Sequence, residues 1–462
     1  MNVRTVALCV VSVAASPAFA AEVTDVADAA DTVHIGTLER DDNFDLYFTG
    51  VDFEMTMENG KITREPIDRP GLDPSSTRDC VAKNARDCQP VDELRYKRNT
   101  NRYRINAEMG IFHDLSLTFG WSMVFSETMK FRYAKGVNAG NSTVDGTAFG
   151  KLFDHKFESQ RGGLGKPGSG PFELGLKFAP LSDERDESKP SWVLKLNWAS
   201  PWTQTTYNPA IRATKSNPGS VGDGVHRVTF ATALSKRIAN LGLIGINPNL
   251  ARRGYIDPYM EFRYTLPVPQ SGTKGALRDN IKTKGNPFGV PPSHEAHFDA
   301  GFEIVPLEDL RAGRKVALDL GLRSAFFTEG RNYSELSGPL GELTYTEQYM
   351  YVGGLLGLYV QAAEFIRIKA GVTVGTDTEH FLTNEDVGKD MNGDNQVLHP
   401  EDDSNNVKDQ LNPNFCGNTP GDKCSSTASG GAGQLPYDQT GFRFKDEEHV
   451  LVGWFIQLMF TF

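Results

Sequence analysis

The chain is 462 residues long, with a formal net charge of −11, 23% charged residues and 46 Gly. A helical polytopic membrane protein is excluded, because it needs repeated apolar runs of about 20 residues and only the extreme N-terminus carries a sustained one. The 28 Phe, 14 Tyr and 5 Trp exclude wholesale disorder, the lack of a Gly-X-Y period excludes collagen, and the acidity argues against a nucleic-acid partner.

Residues 1–20 read as a cleavable export signal. Arg4 supplies a positive start, Val6 to Ala15 an apolar stretch, and Ala18-Phe19-Ala20 an A-x-A site with the cut after Ala20. Leu8 is too large for the small residue expected before a lipidated Cys9. Losing Arg4 leaves the mature chain one charge more acidic. Residues 21–43 form an acidic, Ala-rich periplasmic segment, in which 23–35 is a short helix candidate that either hangs free or folds into the barrel described next. The four remaining cysteines fall in two equally spaced pairs, Cys80 with Cys88 and Cys416 with Cys424. In an oxidising compartment they predict two local disulfides, with cross-pairing between the loops as the alternative. Neither pair has a His at metal-ligand spacing, which argues against zinc.

From residue 44 onward a period of two dominates. Residues 44–57 alternate, with a slip of phase at Gly50 that predicts a bulge. In 102–125, Tyr103, Ile105, Ala107, Met109 and Ile111 alternate with polar residues, and after a turn at 112–114 so do Leu115, Leu117, Phe119, Trp121, Met123 and Phe125. The same pattern recurs at 172–178, 192–198, 226–234, 256–266, 296–304, 316–326, 350–360 and 366–374. Alternate side chains on a strand face opposite sides, so each segment has one apolar and one polar face. A soluble sandwich alternates too, but its strands usually run about 5–6 residues, whereas a membrane-spanning strand needs about 9–11. The last segment is the most diagnostic: Val450, Val452, Trp454, Ile456, Leu458, Phe460 and Phe462 alternate to the final residue.

A chain that ends on Phe after such a dyad repeat, behind a cleavable signal, resembles the Gram-negative outer-membrane β-barrel proteins. The resemblance covers residues 44–462, and no narrower family is recognised within this porin-like class. It implies an all-β fold, a transmembrane antiparallel up-and-down barrel set in outer-membrane lipid, and a C-terminal strand read by the barrel-assembly machinery. Twelve strands are counted, with fourteen as the alternative if a hairpin hides in 134–170 or 238–253. The connections alternate long (58–94, 134–170, 203–223, 267–293, 329–342, 380–440) and mostly short, which places the long ones and both cysteine pairs outside the cell.

The polar faces then line the lumen. They carry the bases Arg102, Arg104, Lys177, Lys195, Arg227, Arg263, Arg323, Arg367 and Lys369, and the acids Glu108, Glu173, Asp257, Glu261, Asp299, Glu303 and Asp319. The functional reading is passive or gated passage of small hydrophilic solutes, with these charges tuning selectivity. The second reading is a closed scaffold whose disulfide-pinned extracellular loops bind a partner. No enzyme is predicted: the His-x-Ser triplet of outer-membrane phospholipases is missing, and His294 and His297, three apart on a strand, face opposite ways. No cofactor is required, and one stretch is a candidate structural calcium site, with a plain Asp/Asn-rich solvated loop as the alternative. Asp390, Asn392, Asp394, the Gln396 carbonyl and Glu401 fall at the ligand positions of an EF-hand calcium loop, with Asn395 at the sharp turn. The sequence sets neither the solute nor the oligomer.

Overall fold

The structure, a computed structural model, describes residues 46–65, 91–112, 115–146, 152–181, 189–209, 211–236, 238–239, 252–269, 292–309, 314–341, 343–363, 366–383 and 443–461. The stretch 1–20 read as an export signal, the 21–43 segment, all the cysteines and the 390–401 loop lie outside the described residues.

Twelve antiparallel strands form the wall: β1 (Leu46–Arg64), β2 (Val91–Phe112), β3 (Leu115–Tyr133), β4 (Ser169–Leu181), β5 (Ser191–Ser200), β6 (Val225–Ser235), β7 (Arg252–Pro269), β8 (Glu295–Asp309), β9 (Arg314–Phe327), β10 (Tyr349–Ala363), β11 (Ile366–Asp377) and β12 (Phe444–Thr461). Each pairs with the next in sequence, and β12 pairs back onto β1 from Phe48↔Thr461 to Arg64↔Phe444, so the sheet closes. The barrel is twelve-stranded, not fourteen: the extra strand pieces, Glu158–Arg161 beside β3 and Ile238–Ala239 beside β7, do not enter the ring. One local expectation is corrected. The slip of phase lies at residue 47, where Leu46 and Phe48 oppose adjacent residues of β2, while Gly50 keeps regular register with Asn106 and Met459. A slip near the strand end disturbs fewer ladder bonds than one at mid-membrane.

The alternation is inverted relative to a soluble protein. On β8, Phe298 and Phe302 are 44% and 41% exposed, while Glu295, Asp299 and Glu303 between them are buried. The same holds around the ring, from Phe53 and Ile105 through Phe230, Met260 and Leu322 to Leu356, Ile368 and Leu458. An apolar belt outside and charge inside is stable only when the belt meets hydrocarbon.

Strands β1, β2 and β3 run 19, 22 and 19 residues, well beyond the span a bilayer needs. Past the belt their pattern reverses. Lys61, Arg95, Lys97, Lys130 and Arg132 lie on the outer side, and Ile62, Leu94, Tyr96, Met129 and Phe131 face in and are buried. The inner residues form one apolar cluster with Val144, Phe153 and Phe157 from the 134–157 connection, Leu336 and Leu340 from the 328–348 connection, and Leu382 and Phe444. The mouth on the side of the long connections is thus capped by a packed lid.

Leu356 sits at mid-strand on the lipid face of β10, directly between Leu320 and Val372. Leu356→Arg is expected to cost about 2–4 kcal/mol, and Leu356→Phe almost nothing. Denaturant-dependent unfolding from lipid vesicles measures both, and an Arg variant as stable as the native barrel would contradict the assigned outer face.

Candidate functional site

The lumen below the lid is built from paired charges that lie along the wall. Arg104 on β2 reaches Glu173 on β4 at 2.5 Å, and Lys177 on β4 reaches back to Glu108 on β2 at 2.7 Å. Both pairs arch over β3, where only small residues intervene. A Cβ on Gly120 would sit 3.2 Å from the Glu173 side chain, and the Ser116 hydroxyl donates to Glu108. Lys195 on β5 reaches Glu261 on β7 at 2.8 Å, past Ala231 and Ala233 of β6. Arg263 holds Asp299 at 3.1 Å on the neighbouring strand, and Lys315 holds Glu303 at 3.3 Å. The Tyr259 hydroxyl donates to Asp319 at 2.7 Å across Gly301, where any side chain would strike that hydroxyl.

The predicted lumen residues all stand on the inner face. Arg104, Glu108, Glu173, Lys177, Asp257, Glu261, Arg263, Asp299, Glu303, Asp319, Arg323 and Lys369 are buried, and Arg102, Lys195, Arg227 and Arg367 are partly so. Arg102 pairs with Glu54, Arg227 with Asp223 and more loosely with Glu295, and Lys369 lies over the Tyr359 ring. His297 faces in and contacts Glu295 at 3.3 Å, whereas His294 lies on the other face against the Tyr264 hydroxyl. The two histidines do not converge.

Two cavities are lined by these inward charges. One of about 70 Å³ lies among Arg104, Glu108, Glu173, Lys177, Lys195, Glu261 and Arg263. The larger, about 190 Å³, is a vestibule directly under the lid, where seven carboxylates and five arginines line the space. Its key residues went unread in the sequence. Glu58 pairs with Arg98 at 2.8 Å, Arg98 also holds Glu335 of the 328–348 connection at 2.9 Å, and His449 holds Asp377 at 2.9 Å. The Tyr96 hydroxyl donates to Asp446 at 2.9 Å.

Glu58 was reachable from sequence: carrying the phase of Phe53, Met55 and Met57 one step further puts Asp52, Glu54, Thr56 and Glu58 inside, where all four are buried. Asp446 and His449 were not, because a bulge intervenes. Glu448 has a φ of 53°, and the register passes from Asn59↔Val450 to Lys61↔Glu447. That extra residue lets Asp446 and His449 both face inward while Glu447 and Glu448 stay outside on Lys61.

The lid has its own polar fastenings. Glu93 accepts from the Ser142 hydroxyl, the Thr143 backbone N–H and the Thr143 hydroxyl at 2.8–3.0 Å. Asn332 donates to Ser293 and Thr346, and the Tyr333 hydroxyl donates to the Tyr207 carbonyl at 2.7 Å. Asp145 accepts from the Tyr133 hydroxyl and the His155 backbone N–H, and its carboxylate meets His155 Nδ1 at 2.5 Å, with the His155 ring stacked on Tyr133. With Asp154, these groups form the one cluster among the described residues that brings three ligand atoms within 4.8 Å.

Closed ring, lipid-facing belt and charged lumen together decide the class. The chain is a twelve-stranded membrane-spanning β-barrel. No known family matches it, and no characterised relative matches it by sequence. Among solved structures it is similar to an outer-membrane channel from Pseudomonas putida F1, with a TM-score of 0.35 and 7% identity over 91% of this chain and 100% of that one. It is similar also to the transport unit of the autotransporter AIDA-I from Escherichia coli, at 0.36 and 8% over 96% and 97% of the two chains. The outer membrane protease OmpT from Escherichia coli follows at 0.25 and 9%, over 91% and 98%. These barrels differ in role, so the lumen itself carries the functional reading.

Burial works against the Asp145 charge, but the hydrogen bonds from Tyr133 and His155 outweigh it and hold this loop carboxyl below its ordinary value. A lowered folded value means that the carboxylate stabilises the loop above about pH 4 and stops doing so as pH falls through the folded value. Hydrogen exchange of residues 143–157 is expected to quicken as pH drops below about 4, after correction for the intrinsic pH dependence of exchange. In Asp145→Asn it is expected to be fast already at neutral pH. Equal protection of variant and native loops would contradict this.

Proposed function

We propose that this barrel is an outer-membrane channel or transporter for small hydrophilic solutes, gated at its extracellular mouth by the lid. The observation that carries the reading is the lay of the lumen charges. Every ion pair between wall strands named above joins strands no more than two apart, and the Arg104–Glu173, Lys177–Glu108 and Lys195–Glu261 pairs pass over glycine, serine or alanine of the strand between. A barrel that only needs filling is served better by apolar side chains, because burying ion pairs costs desolvation that their attraction seldom repays in full. Charges held flat against the wall are costly as packing and useful as the lining of a polar path. The two cavities lie along that path, in the half below the vestibule and in the vestibule itself.

The lid supports gating. It is held by an apolar cluster and by polar contacts from connections, and its backbone pairing with the wall is short, at 158–161 beside β3 and 380–381 beside β12. The alternative, a closed barrel whose outer loops bind a partner, draws on the same lid but leaves the charged lumen without a use.

The mature protein, refolded into a planar bilayer, is expected to give discrete current steps with cations preferred over anions, since carboxylates outnumber arginines in the vestibule. Glu335→Gln is expected to move the reversal potential toward anions. Silence from protein shown to be folded would overturn the channel reading.

A further inference from the structure

The vestibule is uneven. On the side made by β1, β11, β12 and the lid stand four carboxylates, Glu58, Asp377, Asp446 and Glu335, with Arg98 and His449 as counter-charges paired to them. Asp446 is 3% exposed and Glu58 is 1% exposed. Each uses one oxygen, Asp446 for the Tyr96 hydroxyl and Glu58 for Arg98. The other oxygen of each, Asp446 Oδ1 and Glu58 Oε1, meets no donor among the described residues. Both residues line the cavity, so the missing donors belong in it. A buried carboxylate oxygen without a donor is costly, and the cost is recovered when one arrives.

The rest of this wall says what the donor is. Tyr349 is stacked between Phe327 and His380, with ring centroids 4.6 and 4.1 Å away, and all three line the same cavity. Both faces of Tyr349 are covered by its neighbours, so the stack offers its edge, and carboxylate oxygens beside such an apolar edge suit a cation that gives several N–H bonds and rests its carbon frame there. They repel an anion and give a neutral polyol much less. The volume of about 190 Å³ fits a small molecule and no more. Resting on the channel reading above, we infer that the vestibule is a binding site for small organic cations, amines or guanidinium compounds, captured between Asp446, Glu58 and the Phe327–Tyr349–His380 stack. The bulge at Glu448 gives this site its form, because without it Asp446 and His449 would not share the inner face.

The test is isothermal titration of the folded, mature barrel in neutral detergent, with no membrane current involved. The probes are 1,4-diaminobutane, its uncharged analogue 1,4-butanediol, succinate and calcium chloride. Saturable binding of the diamine is expected, with the diol and succinate at least tenfold weaker and calcium unable to displace it. Asp446→Asn and Glu58→Gln are each expected to weaken diamine binding tenfold or more, while Lys166→Gln on an exposed outer loop changes nothing. Folding of each variant is read from its mobility on unheated gels. If Asp446→Asn fails to fold, Tyr349→Leu replaces it and is expected to lose at least threefold.

Diamine and diol binding alike, or undiminished binding to both carboxylate variants, would overturn the proposal. So would calcium displacing the diamine at equal concentration, which would make this an inorganic cation site. Binding without conductance would leave the site standing and remove the channel. Conductance without binding would do the reverse.

Discussion

A strand that crosses hydrocarbon must give every backbone N–H and C=O to a neighbour, because nothing in the lipid can accept or donate. In this chain the demand is met at the seam, where β1 and β12 pair over nearly their whole length. Closure fixes the rest. Once the sheet has no edge, each strand has one face toward lipid and one toward a narrow interior, and the period of two decides which residue goes where. Phe298 and Phe302 go out, Asp299 and Glu303 go in, and the interior becomes a crowded ring of charge that must be paired.

The pairing explains the small residues of the inner face. Long side chains such as Arg104 and Lys195 can lie along the wall only if the strand between the partners offers little bulk, which is why Gly120, Ser116, Ala231 and Ala233 stand where they do. Gly301 does the same for the Tyr259 hydroxyl on its way to Asp319. These positions hold no function of their own, yet a larger side chain at any of them would push a charge toward the axis.

Most of this was legible in the sequence, since lipid imposes a local rule that each strand obeys by itself. The twelve strands and the inward set from Arg102 to Lys369 follow from alternation. What was not legible lies beyond the lipid, where the rule changes. Above the belt on β1 to β3 the outer face meets water and the inner face meets the lid, so Lys61 and Arg95 go out and Ile62 and Leu94 go in, and the pattern reads as that of a soluble sheet. The lid is a tertiary object: nothing in Phe153, Leu336 or Leu382 alone says that they meet inside the mouth. The bulge at Glu448 is equally silent, because a residue with positive φ there is neither Gly nor Asn. The vestibule depends on both, which is why its carboxylates escaped a reading built on strict alternation.

In the proposed function the lid is the barrier between a polar path and the outside. Its most direct test is the unitary conductance of the double variant Leu336→Ser, Phe153→Ser, which removes two anchors of the apolar cluster and leaves the wall strands untouched. A severalfold rise over the native barrel, with the protein still folded, is the expected result. An unchanged conductance would contradict the lid as gate, and with it the view that the charged lumen beneath is a path held shut.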